Sequence, residues 1–226
     1  MHTRRNFLRN TSLTLAGTTL FPRHLLKTPK PGEIVGIQLY SVRDNMKTDP
    51  LGTLQQLSKM GYVYVEHANY VNRKFYGSSA AEFKKILDGL GLKMLSGHTV
   101  LNKKHWDDTK NDFTDEWKYT IEDAATVGQK YVISPWLDES LRNKYDDLIA
   151  FLDLFNKSGE LCRKSGMKFG YHNHDFEFKY ALNNQKLYDI ILQHTDPNLV
   201  IQQLDIGNMY GVGGNAMEII NKYPGR

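Results

Sequence analysis

Acidic side chains are absent from the first 32 positions of this chain, although six of its basic residues, Arg4, Arg5, Arg9, Arg23, Lys27 and Lys30, lie there. Setting those six aside from the 29 lysines and arginines leaves 23 against 25 acids, a net charge of about −2 for the remainder. That balance excludes the basic footprint of a nucleic-acid binder. Cysteine occurs once, at Cys162, which excludes an internal disulfide. Its place in an apolar helical pattern reads as a small core residue. No long hydrophobic run is present either: Thr11 to Phe21 is too short and too polar to span a bilayer stably. A hydrophobic share of 40% excludes disorder for the bulk of the chain and fits one ordinary globular domain.

The segment 1–32 reads as a targeting element rather than part of the fold. Thr3-Arg4-Arg5-Asn6-Phe7-Leu8-Arg9 resembles a twin-arginine export signal. Such signals carry proteins exported already folded, so a periplasmic location is expected. The folded domain is expected over 33–226.

Within that domain a unit repeats: helix, glycine, short apolar strand, polar strand end. Gly61, Gly91, Gly128 and Gly166 each precede a strand-like run, namely Tyr62–Val65, Leu92–Leu95, Lys130–Ile133 and Met167–Phe169. A helix stop needs a left-handed residue, and glycine adopts that conformation without a side-chain clash. Asn198 is expected to serve at the fifth turn and Pro224-Gly225 at the sixth. The first strand runs within Ile34–Tyr40 and the sixth within Leu199–Leu204. Asp49-Pro50 starts a helix with an apolar stripe of Leu51, Leu54, Leu57 and Met60, and Ser79-x-x-Glu82 is a capping box. Six strands alternating with six helices imply βαβ units and a parallel sheet. An open doubly wound sheet would show a glycine-rich loop after its first strand. Ser41-Val42-Arg43-Asp44-Asn45 stands there instead. The polar and aromatic strand ends favour a (β/α)8 barrel truncated after about six units.

In such a barrel the chemistry lies at the carboxyl ends of the strands. Those ends carry Gln38 and Tyr40, Glu66, His98, Trp136, His172 and His174, and Asp205. The densest stretch is Gly170-Tyr171-His172-Asn173-His174-Asp175-Phe176-Glu177, where strand alternation points His172 and His174 the same way. An aspartate ending a buried apolar strand is costly unless bonded or coordinating. His172, His174 and Asp205 are therefore the expected metal ligands. Nitrogen with carboxylate oxygen suits Mn, Co or Zn, with Fe or Mg as further possibilities. Glu66 and His174 are the candidate proton carriers, and Gln38, Tyr40, His98 and Trp136 the candidate substrate contacts. Lysine and arginine do not cluster at the strand ends, Arg43 being the one cation near them, which disfavours a phosphorylated substrate, while aspartate, glutamate, histidine and tryptophan around a metal suit a polyol.

Gly36-Ile37-Gln38-Leu39-Tyr40-Ser41-Val42-Arg43, Gly170 to Phe178 and Tyr223-Pro224-Gly225-Arg226 resemble the sugar phosphate isomerase/epimerase family of xylose-isomerase-like barrels, in its exported bacterial branch. The resemblance implies a (β/α)8 barrel with one divalent ion held by strands five to eight. His172 stands where related ketose epimerases carry a glutamate ligand, and Asp205 matches the strand-six ligand. It also implies a strand-seven histidine and a strand-eight glutamate, for which the 226 residues offer no match. The expectation is a fragment of a longer protein, or a chain completed by a partner in an oligomer. The implied activity is isomerisation or epimerisation through proton abstraction beside a carbonyl, with a metal-stabilised enediolate. Inosose dehydratases resemble the same branch, which keeps a keto-sugar lyase or dehydratase open, and beside it a non-catalytic sugar-binding barrel.

Overall fold

The computed structural model describes residues 36–226, and the export-signal reading of 1–32 lies outside the described residues. Six strands form one sheet: β1 (Gly36–Gln38), β2 (Tyr64–His67), β3 (Lys93–His98), β4 (Tyr131–Ser134), β5 (Lys168–His172) and β6 (Val200–Gln203). They pair in chain order, every neighbour parallel. The intervening helices are α1 (Pro50–Lys59), α2 (Ala80–Gly89), α3 (Asp115–Val127), α4 (Tyr145–Lys164) and α5 (Leu187–Gln193), with α6 (Ala216–Lys222) following β6. Six parallel strands with these crossovers are the wall of a truncated eight-stranded barrel.

Helix starts follow local chemistry. Asp49 caps α1 by accepting from the Gly52 amide at 2.9 Å, with Pro50 in the first turn. Ser79 and Glu82 form the reciprocal capping box of α2. Gly61, Gly91, Gly128 and Gly166 all take positive φ, as a left-handed helix stop requires. The fifth turn is built differently: Asn198 is not left-handed. Asp196 makes that turn, its carboxylate accepting from the Asn198 amide at 2.8 Å and its carbonyl from Leu199 and Val200. The α1 stripe is also narrower than expected. Leu54 and Leu57 are buried, but Leu51 in the first turn and Met60 at the C-cap are 48% and 73% exposed.

The core lies between sheet and helices. Val65, Leu54, Phe83, Leu87 and Met94 pack one cluster under α1 and α2. A larger one joins Trp117, Phe155, Cys162, Phe169, Tyr171 and Val200 under α3, α4 and α5. Strand alternation then decides which residues face the barrel axis. With Phe169 and Tyr171 on the helix side of β5, Gly170 and His172 face inward. With Val65 on the helix side of β2, Glu66 faces inward, and with Val200 on the helix side of β6 so does Gln203. The inner face is tight at Gly170, where a Cβ would meet the Ile133 and Ile201 side chains at 2.7 and 2.8 Å, so a side chain there would displace both isoleucines.

Candidate active site

Register sets the site. Gln38 pairs with Glu66 and Glu66 with Ser96 across β1, β2 and β3, while His172 pairs with Gln203 across β5 and β6. Each is an inward residue at a carboxyl end, so two patches of polar side chains meet over the barrel mouth. Gln38, Tyr40, Glu66 and His98 line one side of a cleft of about 800 Å³ there. Trp136, His172, His174 and Asp205 line the other, so every residue expected from the strand ends reaches a common space.

Glu66 is the hub of the first side. Its Oε1 accepts from Ser96 Oγ at 2.5 Å and Gln203 Nε2 at 2.7 Å, and its Oε2 accepts from Gln38 Nε2 at 3.1 Å. His98 Nε2 lies 3.3 Å from Oε2. Gln38 is fixed in turn because its Oε1 accepts from the Tyr40 amide at 2.8 Å. A carboxylate so held keeps one orientation toward the cleft.

On the second side, His172 Nε2 and Asp205 Oδ2 face each other at 3.6 Å, too far for a hydrogen bond. Burial first, then the charges of His98 and His174, lower the His172 imidazole to about 4. His172 is therefore neutral at physiological pH, with a lone pair to offer. Asp205 also caps the short helix Ile206–Tyr210, accepting from the Asn208 amide at 2.8 Å and from Asn208 Nδ2 at 2.9 Å. His174 stands beside this pair, its ring 5.2 Å from that of His172 and stacked on Phe176 at 5.9 Å. Its Nδ1 is buried with no partner, and burial lowers its pKa. Among the described residues no group of three or more His, Cys, Asp or Glu side chains converges to hold an ion. The expected trio is thus met as a facing pair, His172 and Asp205, with His174 as a neighbour against the aromatic wall. One imidazole nitrogen and one carboxylate oxygen, turned toward each other without bonding, fit a divalent ion as two of its donors.

Trp136 belongs to that wall. It meets His174 and Phe176 edge-on at 5.2 and 5.3 Å. The buried guanidinium of Arg142 lies over Trp136 at 4.5 Å and over Phe176 at 3.5 Å, while its Nε and Nη2 both donate to the Leu137 carbonyl. Behind His174, the fully buried Glu177 accepts from the His174 amide at 2.9 Å and from the Tyr171 hydroxyl. Burial pushes the Glu177 carboxyl up to about 7. Asp175, the other acid of the motif, turns outward to pair with Lys179.

Sequence reasoning missed Gln203, Ser96 and Arg142. Gln203 had a signal available: it lies two residues before Asp205 in the run read from sequence as a strand and its end, hence on the same expected face. Ser96 stands two before His98 in the same way. Arg142 had none, since its burial follows from tertiary stacking alone.

The family model described as xylose isomerase-like TIM barrel matches residues 54–226. The chain belongs to this family. Among curated relatives of this xylose isomerase-like barrel is an inosose dehydratase of Clostridium beijerinckii. It is 25% identical over 166 residues, which are 67% of this chain and 53% of that protein. The chain thus spans about half the length of that relative. A solved sugar phosphate isomerase/epimerase from Parabacteroides distasonis superposes with a TM-score of 0.74 at 26% identity, covering 89% of this chain and 74% of that one. The IOLI protein, crystallised with a bound zinc atom, shares the fold at 17% identity and a TM-score of 0.58, over 81% of this chain and 66% of its own.

Proposed function

We propose that this barrel belongs to a divalent-metal-dependent enzyme that removes a proton beside the carbonyl of an unphosphorylated sugar or keto-sugar, as a sugar isomerase or epimerase. The observation that carries this reading is the pairing, across one cleft, of a tethered carboxylate, Glu66, with the facing donors His172 and Asp205. His172 Nε2 and Asp205 Oδ2 would hold the ion; the zinc in the IOLI protein supports the ion's presence in this superfamily. When bound, it would supply the positive charge that stabilises the enediolate developing on the substrate's oxygens.

The chain's own groups do the rest. Glu66, held by Gln38, Ser96 and Gln203, accepts the proton at the substrate carbon. In epimerisation His174, on the opposite wall, returns a proton to the other face of that same carbon, and Trp136 there offers an aromatic face to the sugar ring. His98 and Gln38 bond its hydroxyls, and Tyr40 shields the mouth. Lysine and arginine are absent from the cleft lining among the described residues, which supports an unphosphorylated substrate. Arg4-Arg5 supports export to the periplasm, where free sugars are met.

A lyase or dehydratase acting on a keto-sugar or keto-inositol is the second reading, favoured by the inosose dehydratase relatives. Elimination begins with the same proton abstraction and parts from isomerisation only when a leaving group departs from the neighbouring carbon.

The test is metal content of the full-length protein by elemental analysis. We expect about one Mn, Co or Zn per chain, and at least a tenfold lower occupancy (order of magnitude) in His172→Ala and Asp205→Ala. Full occupancy in both variants would sink the assignment of the pair.

A further inference from the structure

We propose that Gln203 is a positioning residue that sets the tautomers of two site histidines at once, and so turns the Nε2 lone pair of His172 toward Asp205. Its amide bridges both sides of the cleft. Nε2 donates to Glu66 Oε1 at 2.7 Å, while Oε1 lies 2.7 Å from His98 Nε2 and 2.9 Å from His172 Nδ1.

The direction of each bond follows from what these groups can do. An ionised carboxylate only accepts, so the amide NH2 must face Glu66 and the amide oxygen must face the imidazoles. An amide oxygen only accepts, so both imidazole nitrogens beside it must carry hydrogen. His98 is therefore the Nε2–H tautomer and His172 the Nδ1–H tautomer. A neutral imidazole with its hydrogen on Nδ1 has its lone pair on Nε2, the atom 3.6 Å from Asp205 Oδ2. Were that hydrogen on Nε2, the carboxylate would offer it a hydrogen bond, and the gap would close to about 2.8 Å. Gln203 thus holds His172 against the tautomer that Asp205 alone would favour. The order runs from Glu66 through one amide to His172, coupling the proton-accepting side of the cleft to the ion-holding side.

The use of that lone pair for an ion rests on the function proposed above; the tautomer itself does not. The experiment reads them separately. Long-range proton–nitrogen correlation spectra of full-length, 15N-labelled protein assign the hydrogen on each ring, and calorimetry with zinc chloride gives the affinity. Wild-type protein is expected to show His172 protonated at Nδ1. Gln203→Leu should move it to Nε2 and weaken zinc binding about tenfold to a hundredfold. Gln203→Glu keeps an acceptor beside both imidazoles but gives up the donor to Glu66, so a retained Nδ1–H tautomer there assigns the effect to the acceptor and separates hydrogen bonding from packing. Nε2 protonation of His172 in the wild type, or an unchanged tautomer in Gln203→Leu, overturns the inference. The expected tautomers without zinc binding by any variant, wild type included, would support Gln203's role and remove the metal from the proposed function.

Discussion

Glu66→Gln in the full-length protein is expected to lower kcat by about 10² to 10⁴, the range for loss of a positioned general base, while KM changes little. The reason lies in how the carboxylate is held. Three protein donors, from Ser96, Gln203 and Gln38, fix its plane, so its position is set before substrate arrives. An amide at this place keeps the volume but cannot take a proton from carbon, and its NH2 would face a donor. Steady-state rates on whichever keto-sugar proves to be turned over, with a thermal melt to show a retained fold, measure the effect. A kcat within about threefold of wild type would assign the base elsewhere, His174 being the remaining candidate in the cleft. The truncation Glu66→Ala should in addition destabilise by about 1–3 kcal/mol, since it strands the donors that now bond to the carboxylate.

Acid should weaken the fold through a histidine that takes no part in the site. His67 ends β2 on the helix side, 2% exposed, with its ring edge-on to Phe75 at 4.9 Å and its Nδ1 without a partner. Burial first, and the charge of His98 second, lower its pKa from 6.5 to about 3. Above pH 6.5 both folded and unfolded chains hold it neutral, and the contribution to stability is complete. As pH falls below that value the unfolded chain gains a proton that the folded chain refuses. Each pH unit then costs about 1.4 kcal/mol until the folded group titrates near pH 3. The full loss is on the order of 5 kcal/mol, a large share of a domain's stability. Other buried histidines shift the same way, so a variant isolates this one. His67→Leu, unfolded in urea at a series of pH values, should lose less stability than wild type between pH 6.5 and 4. Parallel curves would mean that His67 takes up its proton as readily in the fold as in the unfolded chain.

The barrel wall is legible in the sequence because its elements are local. A glycine stop before each apolar run reflects a backbone need that no neighbour has to supply, and Gly61, Gly91, Gly128 and Gly166 meet it. The fifth turn departs from the pattern because Asp196 and Asn198 offer two different solutions: a carboxylate that caps the turn, or a left-handed residue. The carboxylate prevails. Strand-end polarity likewise points to eight of the side chains that line the cleft, since alternation decides facing without knowledge of the partner strand. What alternation does not reveal is which group bonds to which. Gln203 is an uncharged amide inside an apolar run, and its importance arises only when the register of β5 and β6 sets it against His172 and the barrel's curvature brings it to Glu66. Asp205 shows the converse. Its cost at a strand end is met in part by capping Ile206–Tyr210, a role that its charge alone does not announce.

Hydrogen exchange at carbon separates an enzyme from a barrel that only binds. Full-length protein, loaded with Mn, Co or Zn, is incubated in D2O with a panel of unphosphorylated keto-sugars, and the carbon beside the carbonyl is followed by NMR. Deuterium is expected at that carbon for at least one sugar, lost on chelation and restored by the metal. Recovered sugar of changed configuration or carbonyl position would identify an isomerase or epimerase, and loss of water or another group a lyase. Saturable sugar binding with no exchange in the metal-loaded protein would contradict proton abstraction and leave a barrel that binds sugar without transforming it.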